Sequence, residues 1–159
     1  MFERVCFMLK RSTLFIPLII SVTLTTILAS LASSFRTISM LSEIGAPISL
    51  AESLKTALYD LQHFAPLYGL FILIAFTIAF LVTQFTFKRF HHKPKLIYGV
   101  AAMSAIWVML WAMKQVFFGV PIVAGARDGL GLSLQLIAGA LGGIVFIILK
   151  TRLKKEADS

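Results

Sequence analysis

The chain has a single cysteine, Cys6, among its 159 residues, so it can form no intramolecular disulfide and has no C-x-x-C redox pair. No lipobox-like setting surrounds that cysteine, which argues against lipid attachment. Acidic side chains are scarce as well: seven Asp and Glu stand against fifteen Lys and Arg. None of the seven falls in the middle of a long apolar segment, where a proton- or sodium-coupled carrier of the usual kind keeps its carboxylates. The three histidines are His63 and the adjacent pair His91 and His92. They are too few, and too near the segment ends, for a metal cage or a haem held between helices. No G-x-S-x-G, H-E-x-x-H or phosphate-binding glycine loop occurs. Catalysis has little to stand on, and neither a cofactor nor a metal site is expected.

What the sequence has in excess is apolar surface. Hydrophobic residues make up 58% of the chain and charged residues 14%, and the mean hydropathy is +0.91. Soluble domains carry about 25% charged and roughly 45–50% apolar residues, so the composition argues against a soluble globular protein and excludes a disordered chain. Four segments, at about 13–35, 64–87, 96–118 and 129–149, are long and apolar enough to cross a bilayer. A transmembrane helix needs roughly 20 such residues. The period-2 alternation of a membrane β-barrel is absent. The expected fold is therefore all-α: a polytopic, antiparallel four-helix transmembrane bundle forming one domain over 1–159.

The net charge of +8 separates by side. The N-terminus, the 88–95 loop and the 150–159 tail together hold eleven basic and three acidic residues, while the opposite flanks hold four of each. The positive-inside rule then places both termini in the cytoplasm. The architecture resembles that of small four-span inner-membrane proteins of bacteria, although no motif accompanies it. That resemblance implies a bacterial inner (plasma) membrane location. In a competing reading, the basic start, the apolar run and the small residues Ser30 and Ala32 form a cleavable signal peptide. Three spans would then remain with unchanged orientation, and an intact mass separates the two readings.

On the outer side, Ser49-Leu50-Ala51-Glu52 matches a capping box after Pro47. Leu50, Leu54, Ala57, Leu58, Leu61 and Phe64 follow helical spacing, which predicts an amphipathic interfacial helix at about 49–62. Asp128 is placed to cap the fourth span, where a carboxylate meets the positive end of the helix dipole. Within that span Gly131, Gln135, Ala138, Gly139 and Gly142 approach one face, and Gly139 and Gly143 form a G-x-x-x-G. Small residues allow membrane helices to approach closely. Thr23, Thr26, Ser30 and Ser33 form a corresponding stripe on span one, so spans one and four are expected to pack together or span four to be central. Spans two and three are read as bulk, with Phe71, Phe76 and Phe80 in one and Trp107, Trp111 and Lys114 aligned on one face of the other.

Two groups of polar residues are candidates for function. Asp60, His63, Lys114, Arg127 and Asp128 share the outer mouth by predicted depth. Lys114 is the only charge inside a span, with Asp128 or Asp60 as its expected counter-ion and an anion or lipid headgroup as the alternative. Thr26, Ser30, Gly131, Gln135, Gly139, Gly142 and Gly143 form a helix-packing face, or a pore face in an oligomer. The buried amide of Gln135 is expected to bond the Thr/Ser stripe of span one. The basic inner segments set topology and can also attract anionic lipid headgroups. No nucleic-acid partner is expected.

The preferred functional expectation is a non-enzymatic accessory or assembly subunit whose partners are the bilayer and either another membrane protein or further copies of itself. The first alternative is a small oligomeric channel or transporter lined by Thr26, Ser30, Ser133 and Gln135. A weaker one is a membrane enzyme acting on lipid at the outer face through His63 and Asp60.

Overall fold

The computed structural model describes residues 2–43, 55, 58–59, 62–63, 65–86, 94–116 and 126–157. Its four helices are α1 (Phe2–Glu43), α2 (Ala65–Thr86), α3 (Pro94–Val116) and α4 (Gly129–Ala157). Each contains a stretch long and apolar enough to cross a membrane: Leu14–Met40, Ala65–Thr86, Pro94–Val116 and Gly129–Glu156. At about 1.5 Å per residue, the 22 residues of α2 extend roughly 33 Å, which matches a hydrocarbon core of about 30 Å. The chain is a multi-pass helical membrane protein.

Two helices outrun the spans expected from sequence. α1 continues past residue 35, through Arg36, to Glu43, because the arginine finds an internal carboxylate and no Gly or Pro intervenes before Gly45. Pro17 lies inside α1 and is buried, a position membrane helices tolerate when neighbouring helices cover the backbone. α4 carries the basic tail as helix as far as Ala157, with Lys154 and Lys155 in its last turn. There they complement the negative end of the helix dipole.

α4 is the hub. It packs most extensively against α3 and α1, while α2 packs less closely against the same two helices. The reason is the absence of side chains. A Cβ on Gly143 would run into the Tyr98 carbonyl and lie 2.7 Å from the Ala102 Cβ, and one on Gly139 would lie 2.7 Å from Ile106 Cγ1. Gly99 of α3 answers from the other side, against the Ala140 carbonyl and Ile144. The G-x-x-x-G thus meets α3, and α3 contributes its own small face of Gly99 and Ala102 where bulk was expected. Gly142 instead faces α1, its Cβ position overlapping the Thr25 hydroxyl.

α2 reaches α4 with large side chains instead of close backbone. The Phe80 and Phe146 rings stack at 4.1 Å, Tyr98 sits 5.5–5.6 Å from both, and Phe76 adds a further ring 5.0 Å from Phe80. Phe76 also reaches the space beside Gly142. Aromatic pairs at these separations add about 0.5–1.5 kcal/mol each beyond their burial. Phe76 and Phe80 are core residues, Phe71 is partly buried against the core, and Phe85 is exposed.

The predicted helix at 49–62 falls mostly outside the described residues. Of its members and neighbours, Lys55, Leu58, Tyr59, Gln62 and His63 are helical and exposed.

Candidate functional site

Two polar constellations emerge, one inside the bundle and one at the end where α1 finishes and α4 begins. The inner one starts from the face of α1. Ser21, Thr25, Thr26, Ser30, Ser33 and Ser34 are buried, whereas Thr23, placed in the stripe from sequence, is exposed. The 3.6-residue repeat runs through Ser21 and Thr25, which leaves Thr23 about 160° from that face. Thr25 and Thr26 donate to the carbonyls of Ser21 and Val22 one turn back, and Ser21 Oγ donates to the Gly142 carbonyl at 2.6 Å. Hydroxyls satisfied in this way can sit at a helix contact in lipid without desolvation cost.

Gln135 is fully buried. Its Nε2 donates to the Ala29 carbonyl at 2.9 Å, and its Oε1 accepts from the Tyr68 hydroxyl at 3.0 Å. The helix expected to meet it is right and the group is different: a main-chain carbonyl, reachable because Ala29 carries only a methyl. Tyr68 is the participant that sequence reasoning missed, a span-two tyrosine that looked like one more aromatic in a phenylalanine-rich helix. Gly131, Gly139, Gly142 and Gly143 are buried with Gln135, Thr26 and Ser30, so the whole candidate face lies between helices of one chain. Ser133 does not join it. That residue is exposed and donates to the Gly129 carbonyl.

The second constellation is built on Asp128. Its Oδ1 accepts the Gly131 N–H at 3.1 Å, and its carbonyl accepts the Leu132 N–H at 3.0 Å. This is N-capping of α4 by a carboxylate, as the sequence predicts. Oδ2 is held by Arg36 of α1, at 2.7 Å from Nε and 2.6 Å from the guanidinium terminus. The two side chains retain only 16% and 27% of their exposure. Arg36, and not Lys114, is therefore the ion-pair partner. Its place was legible in the register: Ser30, Ser33 and Arg36 step by three along the buried face. The Arg36 hydrogen bond is the main influence holding the Asp128 carboxyl below its usual range, and the Gly131 amide adds to it.

A depressed folded value means that the pair stabilises the fold at every pH above the usual carboxylate range. That contribution is lost as pH falls through the lowered folded value. Wild-type protein in detergent should accordingly lose thermal stability on acidification more steeply than Asp128→Asn. Parallel curves for the two proteins would contradict the pairing.

Lys114 and Arg127 are exposed, and among the described residues neither has a partner. They line one pocket of about 290 Å³ together with Trp107, Trp111 and Asp128. His63 lies apart from that pocket lining. It is exposed, stacks on Tyr59 at 4.2 Å and has its Nδ1 3.2 Å from the Tyr59 carbonyl. Asp60 is outside the described residues. Of the five outer-mouth candidates, three thus come together.

At the opposite end, Lys150 is half-buried instead of offered to solvent. It donates to Gln84 at 3.2 Å and lies 5.6 and 5.7 Å from the Tyr98 and Phe146 rings. Among the described residues no three His, Cys, Asp or Glu side chains converge as metal ligands.

Comparison of the chain with protein-family models, curated proteins and solved structures finds no match.

Proposed function

We propose that this chain is a bacterial inner-membrane protein without catalytic activity, an accessory or assembly subunit acting through lateral helix contacts. Its four helices form an antiparallel bundle with both termini in the cytoplasm, and an amphipathic helix at about 49–62 covers the outer side. The contact register supports the antiparallel arrangement: Tyr98 faces Gly143, whereas Ile106, further along α3, faces Gly139, nearer the start of α4. The charge count supports the orientation, since the basic flanks gather at one end and the balanced ones at the other.

One observation carries the accessory reading. The polar groups able to line a path are satisfied inside the bundle: Ser21 and Gln135 bond across to neighbouring helices, and Thr25 and Thr26 bond carbonyls of their own helix one turn back. What the chain presents outward is apolar. The outward side of α4 is a ridge of Leu130, Leu134, Ile137 and Leu141 at helical spacing. Because the glycine face is used internally, the partner contact falls to ridges of this kind, not to the G-x-x-x-G.

Purification in mild detergent tests the reading. A stable complex with a different membrane protein is expected. A defined homo-oligomer that passes solute across liposomes would overturn it in favour of a channel. Lipid-modifying activity lost in His63→Ala would overturn it in favour of an enzyme.

A further inference from the structure

The pocket at the α3–α4 junction has a composition that the internal packing does not use. On α3, Trp107, Trp111 and Lys114 stand at i, i+4 and i+7, which puts the two indoles and the ammonium on one exposed face. Arg127 enters from the segment ahead of α4 and lines the same cavity. The one acidic side chain among the described residues of its lining, Asp128, is already held by Arg36 and by the Gly131 amide. Among the described residues two cations therefore remain uncompensated around a space of about 290 Å³. That volume lies at the small end of ligand pockets, which run from roughly 300 Å³ upward, and suits a headgroup, not a whole lipid. Below it, along α3, the indoles present flat apolar surface toward the hydrocarbon.

We propose that this pocket is a binding site for an anionic phospholipid. The headgroup phosphate sits between Lys114 and Arg127, and an acyl chain runs down over Trp111 and Trp107. Arginine offers a phosphate a planar pair of donors and lysine a mobile point charge. Among the described residues lining the pocket, Asp128 is the one carboxylate that would repel the ligand, and Arg36 holds it. The inference rests on insertion of the helices in a bilayer and is independent of the accessory role proposed above.

The protein reports on this site directly, because Trp107 and Trp111 are its two tryptophans and both line the pocket. Full-length protein is reconstituted in phosphatidylcholine vesicles containing a fraction of lipid with brominated acyl chains, which quench nearby indoles. The bromine is carried either by phosphatidylglycerol or by phosphatidylcholine. The site predicts stronger quenching by the anionic lipid, equivalent to a preference of about fivefold or more, since each nearby basic residue contributes about that factor. Lys114→Gln with Arg127→Gln should return the preference to unity. High salt should weaken it in the unmodified protein, an arm that needs no variant to fold. Equal quenching by the two lipids in the wild type would overturn the proposal. So would a preference that survives both substitutions, or one indifferent to salt.

Discussion

Replacing Gly143 by leucine is expected to prevent the bundle from closing. The new side chain would start at a point already occupied by the Tyr98 carbonyl and 2.7 Å from the Ala102 Cβ. Neither can rotate away, because one is main chain and the other is a methyl on a fully buried residue. Overpacking in a core typically costs about 1–3 kcal/mol and occasionally more, and an obstacle made of backbone puts this site at or above the top of that range. Alanine substitutions should grade the same effect. Gly143→Ala should be the most damaging. Gly142→Ala, which meets the Thr25 side chain, and Gly139→Ala, which meets Ile106 Cγ1 at 2.7 Å, should cost less, because a side chain and not a carbonyl is the nearest obstacle. Gly129→Ala, with nothing within 4 Å, should be neutral to within about 0.5 kcal/mol. Thermal melts in mild detergent give the order. Equal effects at Gly143 and Gly129 would mean that α4 does not approach α3 through its glycines.

Gln135→Ala should be the most damaging change on the polar side. It removes two hydrogen bonds, to the Ala29 carbonyl and from the Tyr68 hydroxyl, and leaves a void at a fully buried position. Truncations of comparable volume cost about 2–5 kcal/mol. Gln135→Leu keeps most of the volume, so it isolates the bonding, and interhelical hydrogen bonds in membranes average about 0.6 and reach about 1.7 kcal/mol. We therefore expect the leucine variant to lose about 1 kcal/mol and the alanine variant about three times as much. A double-mutant cycle of Tyr68→Phe with Gln135→Leu should show a coupling of the same sign and of a few tenths to about 1.7 kcal/mol. Zero coupling would mean that the Tyr68–Gln135 hydrogen bond does not join α2 to α4.

The parts of this molecule that composition and spacing specify were legible in advance. Span number follows from four uncharged runs, and the central place of α4 follows from glycines three and four residues apart. Asp128 as a cap follows from a carboxylate set one residue before an apolar run. Pair identities were harder to read. By composition Arg36 reads as a flank residue, one of the four basic residues on the balanced side, because charge normally ends a span; it lies instead within α1 on the buried face, where Asp128, 92 residues later in sequence, meets it. Predicted depth alone pairs Lys114 with Asp128 or Asp60, and depth does not distinguish between two cations at one level. The small face of α3 was hidden by its tryptophans, which are larger and point outward, while Gly99 and Ala102 do the packing. Tyr68 illustrates the same limit: its ring reads as bulk, and only the position of Gln135 across the bundle shows what its hydroxyl is for.

The internal polar contacts and the exposed pocket imply different sensitivities. Changes at Gln135, Gly142 or Gly143 should act on folding and thus on every property of the protein. Changes at Lys114 and Arg127, exposed and outside the core, should leave the melt in place and alter lipid preference alone.

The proposed function depends most on one arrangement: a chain that crosses the membrane four times with its basic end in the cytoplasm. Cys6 is the only thiol, so Cys6→Ser gives a background in which one introduced cysteine reports its own side. Lys55→Cys and Lys154→Cys place that thiol at exposed positions on the two proposed faces. A membrane-impermeant maleimide applied to intact cells should label residue 55 at once and residue 154 only after permeabilisation. Labelling of both from outside, or of residue 154 alone, would contradict the arrangement.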